Sequence, residues 1–205
     1  MRIIELGLTK YREAWALQKR LWEEVVGGKE EAFLILRHFP VITLGRSSHE
    51  SNILVGEEVL RKKGVEIFRI ERGGDVTFHG PGQWMGYPIL DLKRRKRDVH
   101  LYLRNLEEII INTLKDYGLS GKRVPGMTGV WIGEKKIASI GVAISRWVTY
   151  HGFAFNIQPE KEYFNLINPC GLGKEITSLE EEIGTKLEMD EVKEKIKENF
   201  QKIYS

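Results

Sequence analysis

Apolar side chains recur three or four residues apart in three stretches of the chain, which is the spacing of helices with one buried face. The most regular stretch covers residues 99–117, and a glycine follows it. Residues 10–24 and 190–204 show a similar period. A shorter helix is predicted over residues 57–63, because Gly64 follows it as a helix stop. The pattern therefore predicts four helices, distributed along the whole chain.

Short apolar runs bounded by glycine, proline or charged residues predict strands between these helices. Residues 32–36 and 41–44 form two such runs, which Arg37-His-Phe-Pro40 separates. Further strands are predicted over residues 66–70, 84–90 and 147–157, and a hairpin joins residues 130–132 to residues 135–145. Since strands and helices are mixed without regular alternation, the pattern favours an α+β fold with a mixed β-sheet flanked by helices.

The composition is that of a globular protein, with 205 residues, of which 41% are hydrophobic and 30% charged. A single domain spanning residues 1–205 is expected. The net charge of +3 is too mild to predict a nucleic-acid partner. No apolar run approaches the roughly 20 residues of a membrane span, and the first ten residues are too charged for a secretory signal. We therefore expect a cytoplasmic protein without a membrane partner.

The only cysteine is Cys170, which excludes an intrachain disulfide and a cysteine-rich zinc site within one chain. His38, His49 and His100 lack the spacing of metal ligands. No metal site is predicted.

One segment, Arg72-Gly-Gly-Asp-Val-Thr-Phe-His-Gly-Pro-Gly-Gln83, combines four glycines and a proline with several polar side chains. Glycines let the backbone approach a ligand closely and point its N–H groups at it. The segment matches neither a phosphate-binding loop nor a dinucleotide-binding motif. We interpret this glycine-rich segment (residues 72–83) as a ligand-facing turn between two strands; the alternative is a structural turn with a buried arginine.

Cys170 lies in Asn168-Pro-Cys-Gly171, where proline and glycine predict a loop that presents the thiol. A lone cysteine is more often a small buried hydrophobic residue. A free thiol with a pKa of about 8.5 is only slightly ionised at neutral pH, so a nucleophilic role needs a neighbouring base or cation. Lys136 is one candidate, and His79 and His151 are rivals that would form a Cys-His pair.

Strand alternation places Lys136 on the inward face of its strand, together with Ala138 and Ile140, if Lys135 points to solvent. Desolvation lowers the pKa of a lysine and makes it usable as a general base.

Five consecutive basic residues, Lys93-Arg-Arg-Lys-Arg97, separate a predicted strand from the long helix. They form either a solvated loop or a docking patch for an acidic partner. A nuclear-localisation match is also possible, although such matches are frequent by chance.

Taken together, these motifs resemble the octanoyltransferases of lipoate biosynthesis, also called lipoyl(octanoyl) transferases. The resemblance rests on the glycine-rich segment with Tyr87-Pro88, on Lys136-Ile-Ala-Ser-Ile-Gly141, on His151-Gly152 and on Asn168-Pro-Cys-Gly171. Pro40-Val-Ile-Thr-Leu-Gly-Arg46 also fits the family, and the match extends from about residue 10 to residue 180.

The resemblance implies a biotin/lipoate protein ligase-like fold and an acyltransferase that needs no cofactor. The octanoyl group would pass from octanoyl-acyl carrier protein to a lysine of lipoyl domains, those of the 2-oxoacid dehydrogenases and of the glycine cleavage H protein. Cys170 would become the acyl-thioester, and Lys136 would lower the pKa of its thiol. The segments implied to line the acyl substrate are Arg72, Gly73, Gly74, Asp75, Val76, Thr77, Phe78 and His79, then Ser139, Ile140 and Gly141, then Gly152, Phe153 and Ala154. Supporting roles fall to Gln83, Tyr87 and His151.

Three alternatives remain open at this point. A lipoate or biotin protein ligase of the same fold would activate a free acid with ATP and would not need Cys170. An octanoyl-amidotransferase would use the cysteine but move the acyl group between lipoyl domains. A carrier-binding module without catalysis would tolerate replacement of both Cys170 and Lys136.

Overall fold

The computed structural model describes residues 1–168 and 175–204 of the chain. Its helices are α1 (Tyr11–Val26), α2 (Glu57–Lys62), α3 (Val99–Asp116), α4 (Leu179–Ile183) and α5 (Met189–Tyr204). Its strands are β1 (Arg2–Thr9), β2 (Ala32–His38), β3 (Val41–Leu44), β4 (Glu66–Arg69), β5 (Val76–His79), β6 (Gln83–Ile89), β7 (Lys122–Val124), β8 (Met127–Ile132), β9 (Lys135–Ser145) and β10 (Val148–Asn156). Short 3-10 helices cover Glu50–Asn52, Leu92–Arg94 and Lys161–Leu166.

The strands form two mixed sheets. The larger sheet has seven strands in the order β1-β2-β6-β10-β9-β8-β7, and the smaller has three in the order β4-β3-β5. Within each sheet one pair is parallel, β1 with β2 and β3 with β4, and the remaining pairs are antiparallel. The α+β class and the mixed sheet predicted from the sequence are therefore confirmed.

Helices cover both faces of the larger sheet. On one face, α3 and α5 close the main core, in which Phe33 of β2 stacks on Phe200 of α5 with ring centroids 3.9 Å apart. On the other face, α1 packs against β2, β6 and β10 through Ala14, Leu21 and Val25. Asp98 caps α3 by accepting a hydrogen bond from the Leu101 N–H at 2.9 Å, which satisfies a donor of the first turn.

Each of the predicted helices and strands is present, with ends that differ by a few residues from the sequence pattern. The pattern missed β1, β7, α4 and, most consequentially, β5. Residues 76–79 pair antiparallel with β3, so the glycine-rich segment contains a strand where an open turn was expected. Glycines on both sides of this four-residue strand hid its apolar alternation.

No helix in the described part of the chain is both long and apolar enough to cross a membrane.

Candidate active site

A cavity of about 410 Å³ is lined by residues of both sheets and of helices α1 and α3. Exposed Gly73, Gly74, Gly126 and Thr128 contribute to its wall on the solvent side. Of the residues singled out in the sequence, it brings together Arg72, Gly73, Gly74, Asp75, Val76, Thr77, His79, Tyr87, Lys136, Ser139, Ile140, Gly141, His151, Gly152, Phe153 and Ala154. Sequence reasoning did not find the lining residues Tyr11, Leu103, Met127 and Trp131.

Arg72 anchors the glycine-rich segment and is only 6% exposed. Its Nη2 donates to the carbonyl oxygen and the Oγ1 of Thr43 at 2.7 and 2.9 Å. A Cβ on Gly45 would lie 2.7 Å from its Nη1, and a Cβ on Gly141 would lie 2.9 Å from its Cδ. The arginine is therefore wedged between a glycine that follows β3 and a glycine of β9, which ties the two sheets together beside the cavity.

Strand β5 directs alternate side chains to opposite sides. Thr77 and His79 line the cavity, whereas Phe78 is absent from its wall. The Phe78 ring instead packs in the core of the smaller sheet and stacks on Tyr163, with centroids 5.0 Å apart. Phe78 therefore lies on the opposite side of β5 from Thr77 and His79.

A chain of buried hydrogen bonds links the glycine-rich segment to β9. Gln83 Oε1 accepts from the Gly80 N–H at 3.0 Å, and its Nε2 donates to Asn156 Oδ1 at 2.8 Å. Asn156 Nδ2 donates to the Thr177 carbonyl at 3.0 Å, and the Thr177 N–H donates to the Lys136 carbonyl at 3.0 Å. Gln83 thus lies behind the cavity wall, where it holds the turn and, through Asn156, the backbone beside Lys136.

Lys136 lies at the start of β9, is half-buried and lines the cavity. The register with β8 shifts here: Trp131 pairs with Lys136, but Val130 pairs with Ala138, so Ile137 is an extra residue in β9. The alternation that placed Lys136 on the face of Ala138 does not hold across this bulge. Ala138 packs in the main core, while Lys136 contributes to the cavity wall.

Gly129 of β8 makes room for the Lys136 side chain. A Cβ at this position would lie 2.6 Å from Lys136 Cε, and its φ of +132° is one that side chains rarely adopt. The Gly129 N–H donates to Oε1 of Glu107 at 3.2 Å, and Oε2 of this buried carboxylate accepts from Arg123 Nε at 2.9 Å. The sequence offers one signal for this contact, a glycine within an otherwise apolar strand, which often marks a close approach.

Polar aromatic residues form the other end of the cavity. His151 pairs with Val142 of β9, six residues from Lys136, or roughly 20 Å at about 3.4 Å per strand residue. The ring of His79 lies parallel to that of Tyr11, with centroids 6.4 Å apart. Tyr87 shares a 2.8 Å hydrogen bond between its hydroxyl and Nε2 of His38. The cavity therefore has an amine at one end and a cluster of tyrosines and histidines at the other.

Burial keeps the histidines of this cluster neutral. It lowers the pKa of His38 to about 4, although the hydrogen bond to the Thr9 carbonyl acts in the opposite direction. The pKa of His79 is lowered well below its usual value, chiefly by burial. Burial also lowers the pKa of His151, against the pull of Glu71, whose Oε2 lies 3.7 Å from His151 Nε2.

Cys170 lies outside the described residues, but the described chain on both sides of it borders the cavity. Before it, Ile167 lines the cavity, and the Asn168 N–H donates to the Asn52 carbonyl at 2.8 Å. After it, Ile176 lines the cavity and forms a parallel bridge with Lys136.

The basic segment at residues 93–97 has acidic neighbours of its own. Arg95 makes a bidentate contact with the buried Glu31, with N–O distances of 2.5 and 2.8 Å. Lys93 and Arg94 each approach Asp91 Oδ2 at 3.6 Å. The segment is partly structural, since Arg95 compensates a buried carboxylate.

Among the described residues, no group of three or more histidine, cysteine, aspartate or glutamate side chains could hold a metal ion.

The family model for the lipoyl protein ligase A/B catalytic domain matches residues 10–201. The chain belongs to this family. An octanoyltransferase from Solibacter usitatus (strain Ellin6076) is 48% identical over 201 residues, which cover 98% of this chain and 91% of that protein. The resemblance inferred from the motifs is therefore confirmed.

Solved structures of the ligase family share the fold. The crystal structure of lipoate-protein ligase A bound with ATP matches with a TM-score of 0.84 at 16% identity, over 99% of this chain and 85% of that chain. Biotin protein ligase from Aquifex aeolicus matches with a TM-score of 0.55 at 14% identity, over 99% of this chain and 68% of that chain. The predicted biotin/lipoate protein ligase-like fold is confirmed.

Proposed function

We propose that this protein transfers an octanoyl group from octanoyl-acyl carrier protein to a lysine of lipoyl domains, through a thioester on Cys170. The kinship to octanoyltransferases at 48% identity supports octanoyl transfer in lipoate biosynthesis. Residues 1–205 act as one catalytic domain in this proposal. The acceptors are the lipoyl domains of 2-oxoacid dehydrogenases and of the glycine cleavage H protein.

The observation that carries the proposal is the pairing of Lys136 with the segment that follows Cys170. The Lys136 N–H donates to the Glu175 carbonyl at 2.9 Å, and the Lys136 carbonyl accepts from the Thr177 N–H. Ile167, shortly before Cys170, lines the same cavity as Lys136. In the proposal, the Cys170 thiol lies close to Lys136, because the described residues on both sides of Cys170 line the same cavity as Lys136.

The position of the histidines favours Lys136 over a Cys-His pair. His151 pairs with Val142, roughly 20 Å from Lys136 along β9, and His79 belongs to the same cluster as His151. Burial lowers the pKa of both imidazoles, which weakens them as acceptors of a thiol proton. We therefore assign the general base to Lys136.

The proposed reaction has two steps. In the first, Lys136 takes the proton from the Cys170 thiol, and the thiolate attacks the carbonyl carbon of the donor thioester. The C–S bond to the carrier breaks, and the carrier thiolate takes the proton back from Lys136. Since one thioester replaces another, little free energy is lost. In the second, the acceptor lysine amine attacks the Cys170 thioester, an amide forms, and the cysteine thiolate leaves. Lys136, neutral again after the first step, takes the proton from the attacking amine and returns it to the Cys170 thiolate.

The acyl chain would lie along β9 and β10. Gly141 and Gly152 pair across these strands, and a Cβ on Gly152 would lie 2.1 Å from the Gly86 carbonyl oxygen. Ser139 and Ala154 form the next pair. All four residues line the cavity, and the absence of a side chain at Gly152 allows the close approach of the β6 backbone.

ATP dependence separates a transferase from a ligase of the same fold. We expect octanoylated carrier protein and a lipoyl domain to give octanoylated lipoyl domain without ATP, whereas free octanoate with ATP gives none. Formation of product from octanoate and ATP alone would make the protein a ligase. An octanoylated H protein that serves as donor in place of the carrier would make it an amidotransferase, and full activity of Cys170→Ser would exclude both cysteine mechanisms.

A further inference from the structure

The end of the cavity opposite Lys136 carries buried polar atoms that no described residue satisfies. His79 is 7% exposed and His151 is 2% exposed, and both line the cavity. Nδ1 of His79 has no hydrogen-bond partner among the described residues, while its Nε2 lies 3.4 Å from Thr43 Oγ1. Nε2 of His151 likewise has no partner within hydrogen-bond distance there, since Glu71 Oε2 is 3.7 Å away.

Two other polar groups at this end of the cavity already have hydrogen-bond partners. Tyr87 and His38 share a hydrogen bond of 2.8 Å, and His38 Nδ1 lies 2.9 Å from the Thr9 carbonyl. The imidazoles of His79 and His151 therefore each keep a ring nitrogen without a hydrogen bond to the described residues, and both residues line the cavity. A buried polar atom of this kind favours an oxygen over a methyl group as its neighbour.

We propose that His79, with His151 beside it, forms a floor at this end of the cavity. This floor limits the length of the acyl chain and makes a hydrogen bond with an oxygen atom at the chain end. This inference rests on the proposed function, because it assumes that the acyl carboxyl end lies at Lys136. A chain that stops short of the floor leaves room for a water molecule that hydrogen-bonds to the histidines. A longer chain brings its terminal methyl against His79 and loses that hydrogen bond, which lowers the reaction rate.

The test measures acylation of the enzyme by thioesters of a small thiol that carry hexanoyl, octanoyl, decanoyl or dodecanoyl chains, with and without a terminal hydroxyl group. In the wild type we expect the acylation rate to fall once the acyl chain exceeds a limiting length. At that length, the hydroxylated chain reacts faster than the plain chain, by about tenfold for one buried hydrogen bond. A plain chain that is faster than the hydroxylated chain at every length would overturn the proposal without any variant.

Variants assign the effect to His79. His79→Leu removes the polar atom at similar volume, so we expect it to flatten the dependence on chain length and to reverse the preference for a hydroxyl. His79→Asn keeps a polar atom near the position of Nδ1 and restores the limit, whereas a merely structural role would predict equal profiles for both variants. Exposed His49→Leu serves as the control. A chain-length profile of His79→Leu that matches the wild type would contradict the proposal.

A binding experiment separates failure of the floor from failure of the transfer reaction. Calorimetry with free alkanoic acids and their terminal hydroxy forms, using Cys170→Ser, reports the same preference without chemistry. If no thioester acylates the wild type, the transfer mechanism fails, and the calorimetric preference alone decides for or against the floor.

Discussion

At the scale of single residues, the space for the Lys136 side chain depends on a glycine in the neighbouring strand. Gly129 has no side chain where the Lys136 methylene groups pass, and its backbone N–H is held by the buried Glu107. The Lys136 side chain therefore passes close to the backbone of the neighbouring strand β8. Since proposed proton transfer from Cys170 depends on position, the glycine belongs to the site although it touches no substrate atom.

Gly129→Ala should therefore disable acylation. Its Cβ would lie 2.6 Å from both Lys136 Cε and the Ala138 carbonyl, so the lysine or the strand must shift. We expect the rate of acylation by octanoyl thioester to fall by about 10- to 100-fold, the effect of a misplacement of about 1 Å. The matched control is Gly133→Ala in the β8–β9 turn, which also has a positive φ but no neighbour within 4 Å. Equal rates for both variants would contradict this role.

The sequence predicted the lining residues that lie in motifs, but not the partners that hold them. Arg72, His79 and Lys136 stand among glycines and small residues, a local signal for a ligand site. Asn156 carries no such signal, and Gly129 has only that of a glycine within an apolar strand. Their importance comes from contacts with Thr177 and Lys136. The sequence pattern did not predict the bulge at Ile137 either, because the bulge depends on the register between β8 and β9.

At the scale of elements, the longest predicted segments were the most reliable. Helices α1, α3 and α5 carry several periods of apolar residues, and the sequence identified all three. Strand β1 was missed because it is an edge strand with charged residues and a glycine, and its partner β2 lies some thirty residues away. Strand β5 was missed because four residues between glycines are too few for a pattern.

The basic segment (residues 93–97) contains one residue with a structural role and several exposed residues. Arg95 pairs with the buried Glu31, so its replacement would disturb the fold. Lys93, Lys96 and Arg97 are exposed. In the proposed docking of an acidic carrier protein, these three charges would face the partner, although Lys93 and Lys96 each have an aspartate nearby.

The triple change Lys93→Gln, Lys96→Gln and Arg97→Gln should weaken docking of the carrier. We expect KM for octanoylated carrier protein to rise severalfold at low salt and less at high salt, because salt screens exposed charges. The kcat and the rate with a small octanoyl thioester should not change. Lys62→Gln on α2 is the control. An unchanged KM for the carrier at low salt would show that docking takes place elsewhere.

At the scale of the whole molecule, three buried neutral histidines couple folding to pH. Burial lowers the pKa of His38 to about 4 and also lowers the pKa values of His79 and His151. In the unfolded chain each would titrate near 6.5. Between these values the unfolded state binds more protons than the native state, so stability is full above about pH 6.5 and falls as the pH decreases.

The free energy of unfolding should therefore decrease between pH 7.5 and pH 5.5, with each fully titrating histidine contributing a slope of about 1.4 kcal/mol per pH unit at most. His38→Gln removes one of the three contributions, while an amide can still bond to Thr9 or Tyr87. We expect a lower stability at pH 7.5 but a shallower slope, measured by urea unfolding. Exposed His100→Gln should leave the slope unchanged. A His38→Gln slope equal to that of the wild type would contradict the buried-histidine account.

The central claim, that Cys170 accepts the acyl group with Lys136 as its base, is tested most directly by intact mass spectrometry. Wild type, Cys170→Ser and Lys136→Ala are mixed briefly with octanoylated carrier protein in the absence of ATP and of any acceptor. We expect the mass of one octanoyl group on the wild type, released by hydroxylamine as a thioester is, and no adduct on either variant. An adduct that persists in Cys170→Ser, or one that forms at the wild-type rate in Lys136→Ala, would contradict the account.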